Sequence, residues 1–492
     1  MLHEVLDTAT TDLPAEAPAY IAGQWTTETT PAERIGPYVR AVVSRSYPAT
    51  PGQIETARAF AAAGARTVAE LAPATRAGVL ERAAGLATEH RAAFARLIAL
   101  ELGKPVKDGL GEMDRVADTF AVCASEARAI GGETVPVAGW ARGVGNTALT
   151  YRAPAGVALA ITPFNAPANL LAHKLGASFA AGNTTLVKAP PQAPATTTAM
   201  IALVLAAGMP SAAVQLLHGG GDVGAALCAA PEVSVISFTG SPETGNAVAR
   251  AAGAKRLVLE LGGNAATIVC ADADVTHAAR ICARTGYSNS GQSCISVQRV
   301  YVQRSRFDEF LGIFATEVDA LTVGDPLDPA TDVGSMVDEA SATRVETWIA
   351  EATARGAQLV AGGKRDGATL RPSVVANPAP DATLVTEEVF GALVVVLPFD
   401  DLDAVVETCN ASRFGLQAGL FTNDLATVIT AWRELAVGGL VVNGSSNFRL
   451  DHVPFGGVKD SGFGREAPKQ MIDDYTVVKT LILRGMSIWG QA

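Results

Sequence analysis

The spacing of apolar positions along the chain changes its period more than once. From Pro51 to about Ala129 they recur every three or four residues, as in IETARAFAAAGARTVAELA and RAGVLERAAGLATEHRAAFARLIALEL. That interval places an apolar stripe on one face of a helix, so a helical N-terminal region is predicted. GGETVPVAG, with Val135, Pro136 and Val137, and the following NTALTYRAP interrupt it and read as two short strands around a glycine-rich turn.

From Gly156 the strand-like runs GVALAITPF, TTLVKAP, VQLLHGG, VSVISFTG and KRLVLELGG alternate with alanine-rich helical stretches. RVYVQ, GAQLVAGG, ALVVVLPF, QAGLFTN and GGLVVN repeat the rhythm in the second half. Alternation at this interval predicts βαβ units around parallel sheets, hence an α/β chain of two such domains meeting near Gly262-Gly263. Ligands should collect where strands end and loops begin, at the carboxyl edges of the sheets.

The length of 492 residues corresponds to about three domain-sized units. With 49% apolar and 18% charged residues the chain is not disordered, and a net charge of −11 with a pI near 5.2 argues against nucleic acid or anionic lipid as partners. No apolar run approaches a bilayer-spanning length; the one at Gly156 to Ile161 stops at Thr162-Pro163. The N-terminal MLHEVLDTATTDLPAEA lacks a basic segment followed by an apolar one, so a soluble, cytoplasmic protein is expected. Cys123, Cys228, Cys270, Cys282, Cys294 and Cys409 show no CxxC spacing and no histidine pair has ligand spacing, so neither a disulfide framework nor a metal site is expected.

Candidate chemistry gathers at the strand ends. SNSGQSCISVQR places Cys294 in a Gly/Ser-rich loop, where a thiol is open to activation. In VLELGGN, Glu260 closes an apolar strand beside Gly262-Gly263, as suits a general base whose acidity is weakened by apolar surroundings. Asn165, at a strand end within AITPFNAP, has an amide able to donate to a developing oxyanion. SFTGSPETG leads from a strand through Gly240-Ser241 into a helix start suited to phosphate, and LVKAP leaves Lys188 just past another strand end. Each also has a plain structural reading: a buried cysteine, a strand-end glutamate, a turn asparagine beside Pro167, a solvated lysine.

Taken in order, ELGKP (Glu101 to Pro105), TPFN, FTGSPETG, ELGG, GQSC, EEVFG (Glu387 to Gly391) and PFGGVKDSGFGRE resemble the aldehyde dehydrogenase superfamily over nearly the whole chain. The resemblance implies a Rossmann-type cofactor domain over 1–134 and 152–262, an α/β catalytic domain over 263–463, and a small β oligomerisation extension over 135–151 and 464–492, assembled as homodimers or homotetramers. It makes Cys294 the nucleophile, Glu260 the general base and Asn165 the oxyanion-hole amide, with Lys174 on the proton path. NAD or NADP would lie along Ile161, Thr162, Pro163 and Phe164, with Lys188, Gly220, Gly224, Gly240, Ser241 and Leu261 around the nucleotide and Glu388 and Phe390 at the nicotinamide end. The implied reaction oxidises an aldehyde to a carboxylic acid through a thiohemiacetal and a thioester on Cys294, the latter hydrolysed by water that Glu260 activates.

Departures from the family pattern refine this expectation. After Lys188 come Ala189, Pro190 and Pro191, without the carboxylate often found there, so a 2′-phosphate meets no repulsion and NADP should be accepted. Ala166 and Ala168 follow Asn165 where an aromatic is common, leaving the substrate entrance wider. NGSSNFRLDHVPFGG resembles a segment near the aldehyde pocket of lactaldehyde and anionic-aldehyde dehydrogenases, so Arg449, and Arg299 after the cysteine, are expected to meet a polar or anionic substrate. The alternative for Arg449 is a loop-fixing pair with Asp451 or another carboxylate. Two other functional readings stand beside this one: a cysteine acyl-transfer or esterase enzyme without redox chemistry, and a catalytically silent structural or binding protein on this fold.

Overall fold

The computed structural model describes residues 1–7, 14–486 and 488; the end of the expected C-terminal extension, at 487 and 489–492, lies outside the described residues. The helical N-terminal region consists of Pro51–Ala69, Pro73–Glu89, Arg91–Leu102 and Val106–Ala129. Thr50 and Gln53 form a reciprocal capping box at the start of the first. The alternation after Gly156 produces two sheets. In the first, the parallel strands Arg256–Glu260, Val233–Thr239, Val157–Ile161, Thr184–Lys188 and Val214–Leu217 lie side by side in that order. Strand order reverses at Val157–Ile161, a topological switch point that opens a crevice at the carboxyl ends of that strand and of Val233–Thr239.

The second sheet runs Gln358–Ala361, Ser373–Ala376, Leu393–Phe399, Arg299–Gln303, Ala266–Val269, Gln417–Phe421, Gly439–Val442, parallel except for its first strand. A three-stranded antiparallel ribbon joins Thr134–Val135, Thr147–Pro154 and Thr476–Leu483. Other features depart from the sequence expectation. Gly462–Phe463, within the span assigned to the catalytic domain, pairs antiparallel with the edge strand Arg256–Glu260 of the first sheet. Ala19–Ile21 and Gln24–Thr26 extend the opposite edge, and Ala15–Ala17, Ala32–Ile35 and Val42–Ser46 form a small sheet of their own. These strands are three to five residues long, too short for alternation to register against the helical pattern that follows.

The helix Pro167–Ala181 is buried on every side, as an all-round Ala/Leu/Gly surface requires. Neither it nor Pro194–Ala206 carries a side-chain cap of its own, since alanine precedes each. Acids from the N-terminal helices supply the missing acceptors. Glu112 Oε1 accepts from the N–H groups of Ala168 (2.9 Å) and Asn169 (3.1 Å). Glu101, fully buried, accepts from Ala195 N and Thr196 N at 2.9 Å, Thr196 Oγ1 at 2.7 Å and Ser44 Oγ at 2.6 Å. A carboxylate facing a helix N-terminus satisfies orphan donors and meets the positive end of the helix dipole. Glu101→Ala leaves these buried donors unmatched, so denaturant unfolding should show a loss of about 3 kcal/mol.

Candidate active site

Cys294 sits in a turn that the chain enters through three successive left-handed residues, Asn289 (φ 49°), Ser290 (φ 56°) and Gly291 (φ 73°). For asparagine and serine that backbone costs about 1–3 kcal/mol each and persists only if its surroundings over-determine it. They do. Asn289 N donates to Asp108 Oδ2 (2.8 Å) and its amide to Asn165 O (3.1 Å). Ser290 Oγ donates toward Gly334 O and Ser335 O, and Gln292 Oε1 accepts from Val337 N (2.8 Å). From the other side Gly263 packs against the loop so closely that a Cβ there would lie 2.2 Å from Cys294 O. The ELGG and GQSC segments are thereby pressed together.

Asn165 Nδ2 donates to Gln292 O at 3.0 Å, which uses one of its two N–H bonds and fixes the amide beside the cysteine loop. The backbone N–H of Cys294 makes no protein hydrogen bond among the described residues. Two donors thus remain free next to the sulfur. Cys294 keeps part of its surface open, but enclosing protein and the Glu388 and Glu260 carboxylates push its thiol up to about 12. Arg449 acts in the opposite direction.

Glu260 ends its strand almost wholly buried, and neither carboxylate oxygen has a hydrogen-bond partner. Burial, then the nearby Glu466, raises its pKa well above the usual carboxylate value, against Arg449, Lys174 and Arg465. Glu466 goes the other way: burial would raise it, but Lys174 and Arg449 outweigh that and hold it at about 2. Lys174, fully buried, spends its three N–H bonds on Glu466 Oε2 (2.8 Å), Thr239 Oγ1 (2.7 Å) and Ser237 Oγ (3.1 Å). The site therefore holds one carboxylate kept charged and one primed to take up a proton.

Most of the expected cofactor residues lie along the carboxyl edge of the first sheet, in the loops that follow its strands. Thr162 N donates to Lys188 O, and Phe164 packs edge-on against Phe390, whose φ of 44° turns its ring toward the TPFN segment. Glu388 Oε1 accepts from Gly263 N at 2.8 Å, and a Cβ on Gly262 would lie 2.4 Å from Glu388 Oε2. Burial raises the Glu388 carboxyl to about 7. Gly240 and the cap Ser241 stand before helix Pro242–Ala252; Leu261 packs on that helix at Gly245. Gly220 precedes helix Gly221–Ala229, and Gly224 on it faces open space. Lys188 is largely buried at its strand end; burial lowers it to about 8, against the pull of Asp222. Small residues, two helix starts and a cation along one sheet edge fit an elongated dinucleotide.

The mouth beside Cys294 is a cavity of about 280 Å³ lined in part by Asn165, Ala166 and Ser293. Arg299 is not there, contrary to expectation. It begins a strand paired on both sides, and its side chain shares a face of the second sheet with Tyr301. There it donates to Asn264 O (2.6 Å) and Tyr301 Oη, beside a separate cavity that Leu397 and Phe399 also line. The Arg449 side chain is only 7% exposed, and its chief partner is a carboxylate other than Asp451. It donates to Glu466 Oε1 (3.0 Å) and Glu466 O (2.9 Å) and stacks on Phe455, with Asp451 3.7 Å from its Nε. The cations that do line the mouth, Lys104, Lys107 and Arg115, were missed by sequence reasoning. The signal was a polar stripe at helical spacing: Asp108, Glu112 and Arg115.

Comparison with known proteins agrees with this geometry. The aldehyde dehydrogenase family model matches residues 25–481. A 3-sulfolactaldehyde dehydrogenase of Priestia aryabhattai is 40% identical over 470 residues, covering 94% of this chain and 97% of the relative. Aldehyde dehydrogenase 21 from Physcomitrella patens, solved with the reaction product succinate, superposes with a TM-score of 0.94 at 32% identity, covering 97% of this chain and all of that one. The glyceraldehyde-3-phosphate dehydrogenase GapN of Methanocaldococcus jannaschii, solved with NADP, gives a TM-score of 0.88 at 32% identity, with 92% and 98% covered. The chain belongs to the aldehyde dehydrogenase family, whose members oxidise aldehydes with NAD or NADP.

Proposed function

We propose that this enzyme oxidises a short anionic aldehyde, with Cys294 as nucleophile, Glu260 as general base, Asn165 as oxyanion donor and Lys174 on the proton path. The observation that carries the substrate class is Arg115. Its side chain keeps 38% of its surface open at the mouth, whereas the carboxylate that balances it, Asp451, keeps only 6%. An incoming substrate meets the cation and not its counter-ion. Lys104, paired at 2.7 Å with Glu112, lies deeper in the same lining, and Lys107 stands at the rim against Asp332. Ala166 lines the same cavity as Arg115 and adds little bulk to it. A sulfonate, carboxylate or phosphate two or three carbons from the carbonyl suits this arrangement, in keeping with the sulfolactaldehyde relative and the succinate-bound neighbour.

In the chemical sequence, Cys294 Sγ adds to the carbonyl carbon as its proton passes to Glu260, whose two unpartnered oxygens are free to accept it. The alkoxide is met by the second N–H of Asn165 and the backbone N–H of Cys294. Bound NAD or NADP supplies the hydride acceptor, held by Lys188, Ser241, Glu388 and Phe390. Once Glu260 has shed the thiol proton it takes one from water, which attacks the thioester; the acyl–sulfur bond breaks, the carboxylic acid leaves and the thiolate takes that second proton back from Glu260. Lys174, hydrogen-bonded to Glu466, is the residue placed on the path by which Glu260 sheds the first proton, with no direct hydrogen bond from either residue to the Glu260 carboxylate.

Homo-oligomerisation is part of the same reading. Tyr151, Val478, Leu481 and Ile482 leave apolar surface exposed on the antiparallel ribbon, and the half-exposed strand Gly439–Val442 ends the second sheet with an unpaired edge. Both features suit a surface buried against another copy. Among the described residues no helix is long and apolar enough to cross a membrane.

The substrate assignment is tested with succinic semialdehyde and butanal, equal in chain length and different in charge. A charge-assisted hydrogen bond contributes about 1.5–3 kcal/mol, so kcat/KM should favour the semialdehyde by roughly 10- to 100-fold; parity overturns the reading. Glu260→Gln should slow the first-turnover burst of reduced nicotinamide as well as the steady state, the steady state by about 100-fold, since the base takes the thiol proton before it takes the water proton; a burst at the wild-type rate would show that the thiol does not depend on Glu260. For the cofactor, Lys188 loses its proton as pH passes about 8. Dissociation constants measured at pH 7 and 9 should show NADP weakening severalfold relative to NAD, and the trend should vanish in Lys188→Met.

A further inference from the structure

Asp451 lies in the loop before PFGG, 7% exposed, and its carboxylate collects donors from separate parts of the fold. Arg115, from helix Val106–Ala129, contributes a two-pronged pair, Nε to Oδ2 at 2.9 Å and Nη2 to Oδ1 at 2.7 Å. Two residues of helix Pro167–Ala181 approach the same Oδ1: Asn169 Nδ2 at 3.1 Å and His173 Nε2 at 2.9 Å. Arg449 Nε stands 3.7 Å away. Burial alone would raise this carboxyl, but hydrogen bonds from His173 and Arg115 hold it far below the usual range, so it is ionised throughout the working pH range.

Arg115 is thereby set in one orientation. The pair with Asp451 occupies its Nε and Nη2 edge, and Nη1 makes no protein hydrogen bond among the described residues. The guanidinium is planar, so fixing one edge fixes the direction of the remaining donors. His173 sharpens the arrangement. Its Nε2 lies between Asp451 Oδ1, which only accepts, and Arg449 Nη2 at 3.2 Å, which only donates. Burial, then Arg449, lowers His173, so the ring is neutral at neutral pH. A hydrogen on Nε2 then serves Asp451 and leaves Nδ1, which has no partner, as a bare acceptor, the less costly of the two atoms to leave unmatched.

We propose that Asp451 is a positioning residue for substrate selection: it holds Arg115 by one edge so that the free edge presents a fixed fork to the substrate's anionic group. This rests on the anionic-aldehyde reading above and adds to it the origin of the orientation. The same carboxylate adjoins Arg449, which holds Glu466 beside Glu260, so the device that aims the rim cation is continuous with the buried charges at the base.

The test compares wild type, Asp451→Asn, Arg115→Ala, Arg115→Lys and the double variant Asp451→Asn/Arg115→Ala as holoenzymes. The readout is the ratio of kcat/KM for succinic semialdehyde to that for butanal, with thermal melting as the folding control. Asp451→Asn should lower the ratio at least tenfold, through KM for the semialdehyde, and the double variant should be no less selective than Arg115→Ala. Losses that multiply in the double variant, or an Asp451→Asn ratio within twofold of wild type, overturn the proposal. Arg115→Lys covers the case in which Asp451→Asn does not fold, because lysine keeps the charge but cannot make the two-pronged pair. Its ratio should fall nearly as far as that of Arg115→Ala, and a wild-type ratio in Arg115→Lys overturns the proposal. A wild-type enzyme indifferent to substrate charge removes the anionic-aldehyde reading and this inference with it, whereas a selective wild type with an unchanged Asp451→Asn removes this inference alone.

Discussion

The buried ion pair between Lys174 and Glu466 is the interaction on which the site most depends. With side chains 0% and 1% exposed, neither charge has water to fall back on, and the pair is tolerable only because every lysine N–H and both glutamate oxygens find partners. Lys174 comes from the all-buried helix, Ser237 and Thr239 from a central strand of the first sheet, and Glu466 and Arg449 from the C-terminal part of the chain. Removing either partner of such a pair typically costs about 3–5 kcal/mol, because the survivor is left charged and dry. Satisfying Glu466 so completely also leaves Glu260 as the unmatched carboxylate beside it. The architecture of the ion pair and the readiness of the base are one arrangement.

Carboxylates acting at a distance recur elsewhere in the fold. Glu101 and Glu112 reach from the N-terminal helices to the starts of two helices that follow strands of the first sheet, where alanine provides no cap. Asp108, on the helix that carries Glu112, holds the backbone N–H of the strained Asn289. The N-terminal region thus braces both the helix behind Asn165 and the cysteine loop in front of it. This explains how a segment with no reacting group lies within the functional unit, and why the mouth is lined by residues from that same helix.

Much of this was legible in the sequence wherever a regular period and a chemical oddity coincided. The strand–helix rhythm after Gly156 corresponds to the two sheets, and Cys294, Glu260 and Asn165 stood out because each follows a regular run with a residue ill suited to simple packing. Arg299 was misplaced because proximity to the cysteine in sequence says nothing about strand face: the period of two turned it, with Tyr301, to the far side of the catalytic surface. For Arg449 the pairing with a carboxylate could be anticipated but not which one, since Glu466 lies seventeen residues further on, beyond any local pairing rule. Arg115 and Asp451 are 336 residues apart, so only the packing of helix against loop could reveal their contact.

The electrostatics of the two reacting side chains complete the argument. A thiol pushed up to about 12 is protonated at neutral pH, which protects the sulfur from oxidation and stray alkylation but leaves it a poor nucleophile on its own. The cause is in part the same carboxylates, Glu388 and Glu260, that the reaction needs nearby. Glu260 in turn is raised well above an ordinary carboxyl by burial and by Glu466. Each negative charge makes the next less welcome, so a proton leaving the sulfur gains most by going to Glu260, where it relieves repulsion at both groups at once. The pair behaves as one acid–base unit, in which a single proton movement generates the nucleophile and uses up the base, so Glu260 has to shed that proton before it can act on water.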